Sequence, residues 1–448
     1  MQPNELNVLL LVVQHGSSVA NTMRDHIDAL CSRSRHRVRK VQNYLALYGA
    51  YGGFIGTLPR GLPLEAFDVL VVHYSNYMAL PGHFDQAARD RIRAFRGLKA
   101  AFVQDEYRTV DATVAALRDM NFDVLFTCVP QGEVEKVYPK EVLPNLTKVS
   151  TLTGFVPDDL VTWTVPPIRA RPVDVGYRAR VVPYWLGELG AEKWLIAPRF
   201  KRVARAAGLS ENISHEEGDR LYGEAWTRFL LSCKAVLGVE SGASVFDFSG
   251  ELQKQVDAYV AAHPQVTFQE VQRRFLLPYE GRIRLNQISP RCFEAAALRT
   301  AMVLYEGKYS DVLQPWRHYV PLRKDFSNID EVLAVLRDPE RLQDMANRAY
   351  EEIALNHKYS YDAFVAKVDA VLFQEHERRV ANRSAPRRIS FAARMRMAMS
   401  LYPERMLPAT VSVAHGTYVK LPAPVRRCIR PIVRKIAKDV IDVRYSRL

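Results

Sequence analysis

Several common features are missing from this sequence. Its five cysteines are scattered and form no Cys-x-x-Cys pair, which argues against a zinc site or a disulfide framework and for a reducing compartment. No apolar run approaches the ~18 residues that a helix needs to cross a bilayer. The first residues lack the basic segment and short apolar run of a secretory signal. We therefore expect a protein that is made and kept in the cytoplasm.

Two ligand-binding motifs are absent as well. The turn after the first apolar run, Gln14-His15-Gly16-Ser17-Ser18, lacks a full Gly-x-Gly-x-x-Gly, so a bound dinucleotide is not indicated. The sequence also contains no Asp-x-Asp. We expect neither a cofactor nor a metal site.

Positive charge is concentrated at one end of the chain. The net charge is +13, and residues 383–448 carry 15 Lys and Arg against 3 Asp and Glu, which leaves only +1 for the rest. Because the main body is nearly neutral, the composition does not predict binding to nucleic acid.

Apolar runs of strand length alternate with helical patterns through most of the chain. This alternation predicts a parallel sheet covered by helices on both faces. The proline-rich segment 166–172 is typical of a linker, because proline interrupts helices and central strands. We therefore predict an α/β protein with two Rossmann-like domains facing a cleft, residues 1–165 and 173–382. A basic amphipathic tail, residues 383–448, should follow.

One stretch of the second domain carries the strongest local signals. Ser289 and Pro290 are typical of a helix start, because serine can cap a free backbone N–H and proline fits the first helical position. The helix should run from Arg291 to about Arg299, and the apolar run Ala301–Tyr305 should be a buried strand. Such a helix N-terminus at the edge of a sheet is suited to bind an anion.

The sequence of this stretch resembles a known family. Ser-Pro-Arg-x-Phe-Glu-Ala-Ala-Ala, a short strand and a later His-Tyr-Val-Pro are similar to the donor-binding segment of group 1 glycosyltransferases, in the branch related to spore-maturation glycosyltransferases. The resemblance implies the GT-B fold and metal-independent transfer of a sugar from a nucleotide diphosphate sugar to an acceptor hydroxyl. That family commonly has two glutamates eight positions apart. Glu294 matches the second, which holds the ribose, whereas Asn286 replaces the first.

Other donor-binding residues follow from the resemblance and from strand ends. The family neutralises the diphosphate with an arginine and a lysine after the first strand of the second domain. A further strand ends at Glu240 and Ser241, a turn of small polar residues that we place beside Glu294 because such a backbone lets a ligand approach closely. The predicted donor-binding set is Arg178, Arg180, Lys193, Glu240, Ser241, Asn286, Ser289, Arg291 and Glu294.

Several alternatives remain open at this stage. His15 is the candidate catalytic residue because it follows the first strand and should point into the cleft, yet a histidine in such a turn can also be structural. Glu294 can be a solvated helix residue, and the arginines can be surface charges. The chain as a whole can be a sugar-nucleotide epimerase with the same frame, or a non-catalytic scaffold, as Asn286 suggests. The sugar, the base and the acceptor are not encoded in any motif.

The tail has the pattern of an interfacial helix. Val425, Ile429, Ile432 and Val433 fall on one helical face among arginines and lysines, which predicts binding to an anionic membrane surface. This would place a glycosyltransferase near an envelope polysaccharide or a lipid-linked acceptor. The same face can instead pack on the protein's own body or on a partner helix.

Overall fold

The computed structural model describes residues 5–13, 21–42, 44–45, 55–56, 58, 61–80 and 83–380. His15 and the whole of the predicted tail, 383–448, lie outside these residues. No helix within the described ranges has the length and apolar content required to span a membrane.

The first domain is built on a parallel sheet. In chain order it contains β1 (Asn7–Val12), α1 (Asn21–Ser32), β2 (Arg37–Gln42), β3 (Tyr44–Leu45), β4 (Ile55–Gly56), β5 (Val69–Val72), α2 (Gln86–Ala94), β6 (Leu98–Val103), α3 (Val110–Asp119), β7 (Val124–Thr127), α4 (Val134–Val137) and β8 (Thr147–Ser150). Six strands pair in the order β2-β1-β5-β6-β7-β8, all parallel. The short β3 and β4 form a separate antiparallel ribbon.

Alternate residues of these strands enter two different cores. In β1, Leu9 and Leu11 join the cluster beneath α2 and α3, whereas Leu10 and Val12 join the cluster beneath α1 and the last helix of the chain, α12 (Tyr361–Val380). Because both faces are covered, the strands consist of nearly continuous apolar residues, as the sequence indicated.

A buried arginine anchors the segment between the domains. Arg171 is 2% exposed and donates to the carbonyl oxygens of Cys233, Leu298 and Arg299 and to the hydroxyl of Thr300, at 2.7–3.0 Å. Burial lowers its pKa to about 10. The linker is therefore bound to the second domain at its end, directly before the next strand begins.

The second domain repeats the same architecture. It contains β9 (Val173–Arg178), α5 (Gly187–Ala206), β10 (Glu211–Ser214), α6 (Gly223–Ser232), β11 (Cys233–Gly238), α7 (Glu251–Ala262), α8 (Phe268–Val271), α9 (Pro290–Ala297), β12 (Ala301–Tyr305), β13 (Val320–Leu322), α10 (Ile329–Leu336) and α11 (Pro339–Ala349), and α12 follows. Its five strands are parallel in the order β10-β9-β11-β12-β13. The predicted fold class, two Rossmann-like domains, is confirmed.

The direction of winding reverses between β9 and β11. The chain moves from β9 outward to β10 and then returns to β11 on the other side of β9. In open parallel sheets, ligands bind outside the carboxyl ends of the strands at such a reversal. The residues that follow β9 and β11 are therefore expected at the site.

The two domains touch through backbone as well as side chains. The N–H of Asp247 in the second domain donates to the carbonyl oxygen of Tyr107 in the first at 2.8 Å. The N–H of Asp111 in the first domain donates to the carbonyl oxygen of Phe248 in the second at 3.0 Å. On the other side of the cleft, the Thr153 hydroxyl donates to the carbonyl of Ile288 at 2.5 Å.

The final helix returns to the first domain. Phe364, Val365, Val368 and Leu372 of α12 belong to the same core cluster as Leu10 of β1. The spacing of these residues places them on one face of the helix, so α12 joins the two halves of the chain at a further point.

Candidate functional site

The start of α9 has the conformation that the sequence predicted. Ser289 occupies the N-cap position with an extended backbone (φ −77°, ψ 138°), and Pro290 is the first helical residue. The expected hydroxyl cap is not formed, since the Ser289 side chain makes no capping hydrogen bond within the described structure. Pro290 has no N–H, and the N–H of Cys292 donates to the carbonyl of Ser289 at 2.9 Å, so in this turn the N–H of Arg291 is the donor suited to a ligand.

Arg291 is exposed at this helix start and is held from two sides. Its guanidinium carbon lies 5.0 Å from the centre of the Trp226 ring of α6. Its Nη1 donates to the carbonyl oxygen of Arg178. The stacking restrains the side chain while leaving donors of the guanidinium for a ligand.

Lys193 of α5 brings a second cation to the same region. Its Nζ donates to the carbonyl oxygen of Gly242 at 3.4 Å. Burial lowers the pKa of Lys193, and the charges of Arg291 and Arg180 lower it further, whereas Asp105 opposes them. The charges of Arg180 and Arg291 therefore lie close enough to Lys193 to act on its ammonium group.

Arg178 has a different position from the one expected of a phosphate ligand. Its guanidinium donates to the Asn212 carbonyl at 2.8 Å and to the Asn212 side chain at 2.7 Å, and it lies 4.5 Å from the centre of the Phe229 ring. These contacts tie it to the edge strand β10. Of the predicted phosphate-binding cations, Arg180 and Arg291 lie close enough to act on Lys193, whereas the Arg178 guanidinium binds Asn212.

The turn after β11 is bound to the segment that precedes α9. The N–H of Ser241 donates to the carbonyl of Gln287 at 2.7 Å, and the N–H of Gln287 donates back at 2.9 Å. Gly242 has φ +113°, and a Cβ there would lie 1.7 Å from the carbonyl oxygen of Leu285. Only glycine permits this close approach, so the turn is next to the loop leading into α9, nearer to Asn286 than we placed it.

Glu294 lies one turn inside α9. Its Oε2 accepts a hydrogen bond from Nε1 of Trp226 at 2.8 Å. Burial raises the pKa of Glu294, whereas the Trp226 hydrogen bond and the charge of Arg291 lower it. It is therefore not a freely solvated helix residue. Trp226 orients Glu294 and stacks on Arg291, and sequence reasoning missed it because it lies on α6, far along the chain.

The first domain contributes two acidic residues to this region. Burial raises the pKa of Asp25 on α1 to about 7, and the charges of Asp159 and Glu294 raise it as well. Asp105, which follows β6, is exposed and has φ +55°, with its Oδ1 accepting from the Tyr107 hydroxyl at 2.7 Å. A non-glycine residue in the left-handed region is common at functional sites, and neither residue was predicted.

The two domains meet closely beside the start of α9. A Cβ on Gly154 would lie 3.0 Å from the Pro290 ring and 3.3 Å from the methyl group of Thr22. The beginning of α1 and the beginning of α9 therefore approach each other across Gly154. Residues 14–20, which include His15 and precede α1 in the sequence, lie outside the described residues.

The described residues contain no group of three or more histidines, cysteines, aspartates or glutamates that could hold a metal ion. The site consists instead of cations, a helix N-terminus and hydrogen-bonding side chains, which suit an anionic ligand with hydroxyl groups.

Comparison with known proteins gives only distant similarities. No family model and no curated protein matches the sequence. Among solved structures, TarM is 13% identical with a TM-score of 0.39, and the match covers 68% of this chain and 54% of TarM, so the chain spans about half the length of that protein. An alpha-glucosyltransferase in complex with UDP is 9% identical with a TM-score of 0.47, covering 83% of this chain and 100% of that one. Anabaena Alr3699/HepE in complex with UDP is 9% identical with a TM-score of 0.45, covering 82% and 100%.

Proposed function

We propose that this protein is a glycosyltransferase that moves a sugar from a nucleotide diphosphate sugar to an acceptor hydroxyl. The proposal is supported by the arrangement at the start of α9, where the charges of Arg291 and Arg180 lower the pKa of Lys193 and Glu294, one turn further in, accepts from Trp226. This arrangement has one part suited to a diphosphate and one part suited to a ribose. The resemblance of residues 286–307 to donor-binding segments supports the same assignment.

The chemistry needs a place for the departing negative charge. In the transfer, the bond between the anomeric carbon and the diphosphate oxygen breaks, and the acceptor oxygen forms a bond to the same carbon. The acceptor loses its proton to a base or to the leaving diphosphate. The three cations and the N-terminus of α9 would stabilise the diphosphate as it leaves, which is how transfer without a metal would proceed.

Glu294 would bind the ribose. Its Oε1, which has no hydrogen-bond partner among the described residues, can accept from a ribose hydroxyl while Oε2 accepts from Trp226 at 2.8 Å. Asp105 belongs to the first-domain side of the cleft and acts on the charge of Lys193, so we assign it to the acceptor side. His15 stays a prediction for the same side.

Binding and turnover measurements test this function. Isothermal titration calorimetry with UDP, GDP, ADP and their glucose conjugates should show one base bound with a Kd below ~1 mM, equivalent to about 4 kcal/mol of binding free energy. The bound conjugate should release its diphosphate when acceptor saccharides are added. Interconversion of the sugar nucleotide without an acceptor would indicate an epimerase, and the absence of all nucleotide binding would favour a non-catalytic scaffold.

We also propose that the tail, residues 383–448, attaches the enzyme to an anionic membrane surface near an envelope or lipid-linked acceptor. Its excess of basic residues supports this, because each basic residue near an anionic leaflet contributes about 1 kcal/mol. Co-sedimentation with phosphatidylglycerol vesicles should be lost on truncation after Asn382 and should weaken with salt. Equal sedimentation of the truncated and full-length chains would contradict it.

A further inference from the structure

Asn286 stands where the resembling enzymes have a carboxylate, and the structure places a carboxylate beside it. Nδ2 of Asn286 donates to Oε2 of Glu240 at 2.7 Å. Glu240 follows β11, whereas Asn286 lies in the segment that leads into α9. The two residues are therefore joined across the reversal point of the sheet, where a ligand is expected.

The other oxygen of Glu240 is committed to the backbone. Oε1 accepts from the N–H groups of Lys308 at 3.1 Å and Tyr309 at 2.8 Å. A Cβ on Gly307 would lie 2.7 Å from the Glu240 carboxyl group, and Glu240 is only 7% exposed. Glu240 is thus enclosed by donors and backbone, whereas Asn286 is half-buried. Of the two, Asn286 is the residue better placed to contact a ligand.

The turn that Glu240 holds also supports the site. Tyr309, Ser310 and Asp311 all have positive φ, between 46° and 57°, a conformation that needs external hydrogen bonds to persist. The Ser310 hydroxyl accepts from the N–H of Ile288 at 3.0 Å. Glu240 therefore stabilises both Asn286 and the backbone that enters α9.

The contact determines which way the Asn286 amide faces. An amide oxygen cannot donate to Glu240, so the nitrogen must occupy that side and the oxygen must point the other way. Asn286 is half-buried, and its amide oxygen has no protein partner among the described residues. A glutamate at this position would place a second carboxylate against Glu240, which is unfavourable for two like charges.

We propose that Glu240 is a positioning residue that fixes the Asn286 amide, so that its oxygen is a neutral hydrogen-bond acceptor for a hydroxyl group of the donor sugar. This inference rests on the proposed function. It assigns to the pair the role that a single carboxylate at position 286 would otherwise have, and it explains why asparagine here need not mean loss of activity.

Three variants and the ratio of two affinities test the inference. The measured quantity is the Kd for UDP divided by the Kd for UDP-glucose, or the corresponding guanosine or adenosine pair if the wild type binds that one. Asn286→Asp puts two carboxylates together and should lower this ratio about tenfold, the loss of one good hydrogen bond. Glu240→Gln should turn the Asn286 amide around and lower it as well. Neither substitution should change the Kd for UDP, which lacks the sugar, by more than about twofold.

The double variant Glu240→Gln/Asn286→Asp is the decisive case. The introduced glutamine can keep its oxygen on the N–H groups of Lys308 and Tyr309 and donate its nitrogen to the introduced aspartate. The ratio and kcat should therefore return to within about threefold of wild type. Asn347→Asp on α11 is a matched control, because that half-buried amide accepts from Gln343 at 3.0 Å, and Gln343 in turn accepts from the N–H of Ile168 in the linker. It should change neither affinity.

The outcomes separate this inference from the proposed function. If the wild type binds no nucleotide, both fail. If the wild type binds UDP-glucose but Asn286→Asp keeps the wild-type ratio, or if the double variant is worse than both single variants, the proposed function stands and the Glu240–Asn286 inference is overturned.

Discussion

Replacing Arg291 by glutamine should weaken the binding of the diphosphate far more than that of the nucleoside. Gln keeps part of the side chain's length but removes the positive charge at the start of α9. One hydrogen bond between charged groups contributes about 1.5–3 kcal/mol, so the Kd for UDP should rise roughly 10- to 150-fold. The Kd for uridine, which lacks the phosphates, should change little.

The structure also predicts a modest cost in stability for this variant. Arg291 loses its stacking on the Trp226 ring, at 5.0 Å, and its hydrogen bond to the Arg178 carbonyl. An exposed cation–π contact contributes about 0.5–1 kcal/mol, and a hydrogen bond about 1 kcal/mol. The variant should therefore fold, with a slightly lower denaturation midpoint.

Arg341→Gln is the matched control for Arg291→Gln. Arg341 is also exposed and lies 5.6 Å from the centre of the Trp316 ring. Trp316 precedes β13, at the amino end of that strand, whereas the site lies at carboxyl ends, so replacing Arg341 removes a similar stacking contact away from the site. Calorimetry of both variants with UDP and with uridine, at low and high salt, gives the comparison. The reasoning would be refuted if Arg291→Gln lost UDP and uridine affinity equally. It would also be refuted if Arg341→Gln lost as much UDP affinity as Arg291→Gln.

Three further predictions concern the rest of the site. Glu294→Ala should weaken nucleotide binding by about 1.5–3 kcal/mol, and an unchanged Kd in the folded variant would show that it does not bind the ribose. Burial and its acidic neighbours raise the pKa of Asp25 from 3.8 to about 7 in the folded state. Between these two pH values the folded protein binds more protons than the unfolded chain. Asp25 should therefore destabilise the fold progressively as the pH rises from about 4 to above 7. Asp25→Asn should therefore gain thermal stability relative to wild type between about pH 5 and pH 8, and a constant difference would contradict this. Gly242→Ala, which forces a Cβ against the Leu285 carbonyl at positive φ, should cost at least ~2 kcal/mol of folding free energy in chemical denaturation, whereas Gly218→Ala, which meets nothing within 4 Å, should not.

The arrangement of strands and helices could be predicted from the sequence because buried parallel strands leave a local signal. The strand at Ala301–Tyr305 was predicted with the bounds that the structure has, since its five residues are all apolar and all buried. The helix start at Pro290 was also predicted, because proline prefers the first position of a helix and serine the position before it. These signals depend on residues next to one another in the chain.

The site needed the tertiary structure because its contacts join residues that are far apart in the chain. Arg178 and Arg180 look alike in the sequence, and only the edge strand β10, where Asn212 binds the Arg178 guanidinium, distinguishes their contacts. Likewise, no periodicity connects Trp226 to Glu294. The sequence alone determined the two-domain α/β frame and the position of α9, through apolar runs and capping residues. The tertiary structure decided which side chains meet at the start of α9, because a side chain's hydrogen-bond partners depend on which strands become neighbours, and that order is not a local property of the chain.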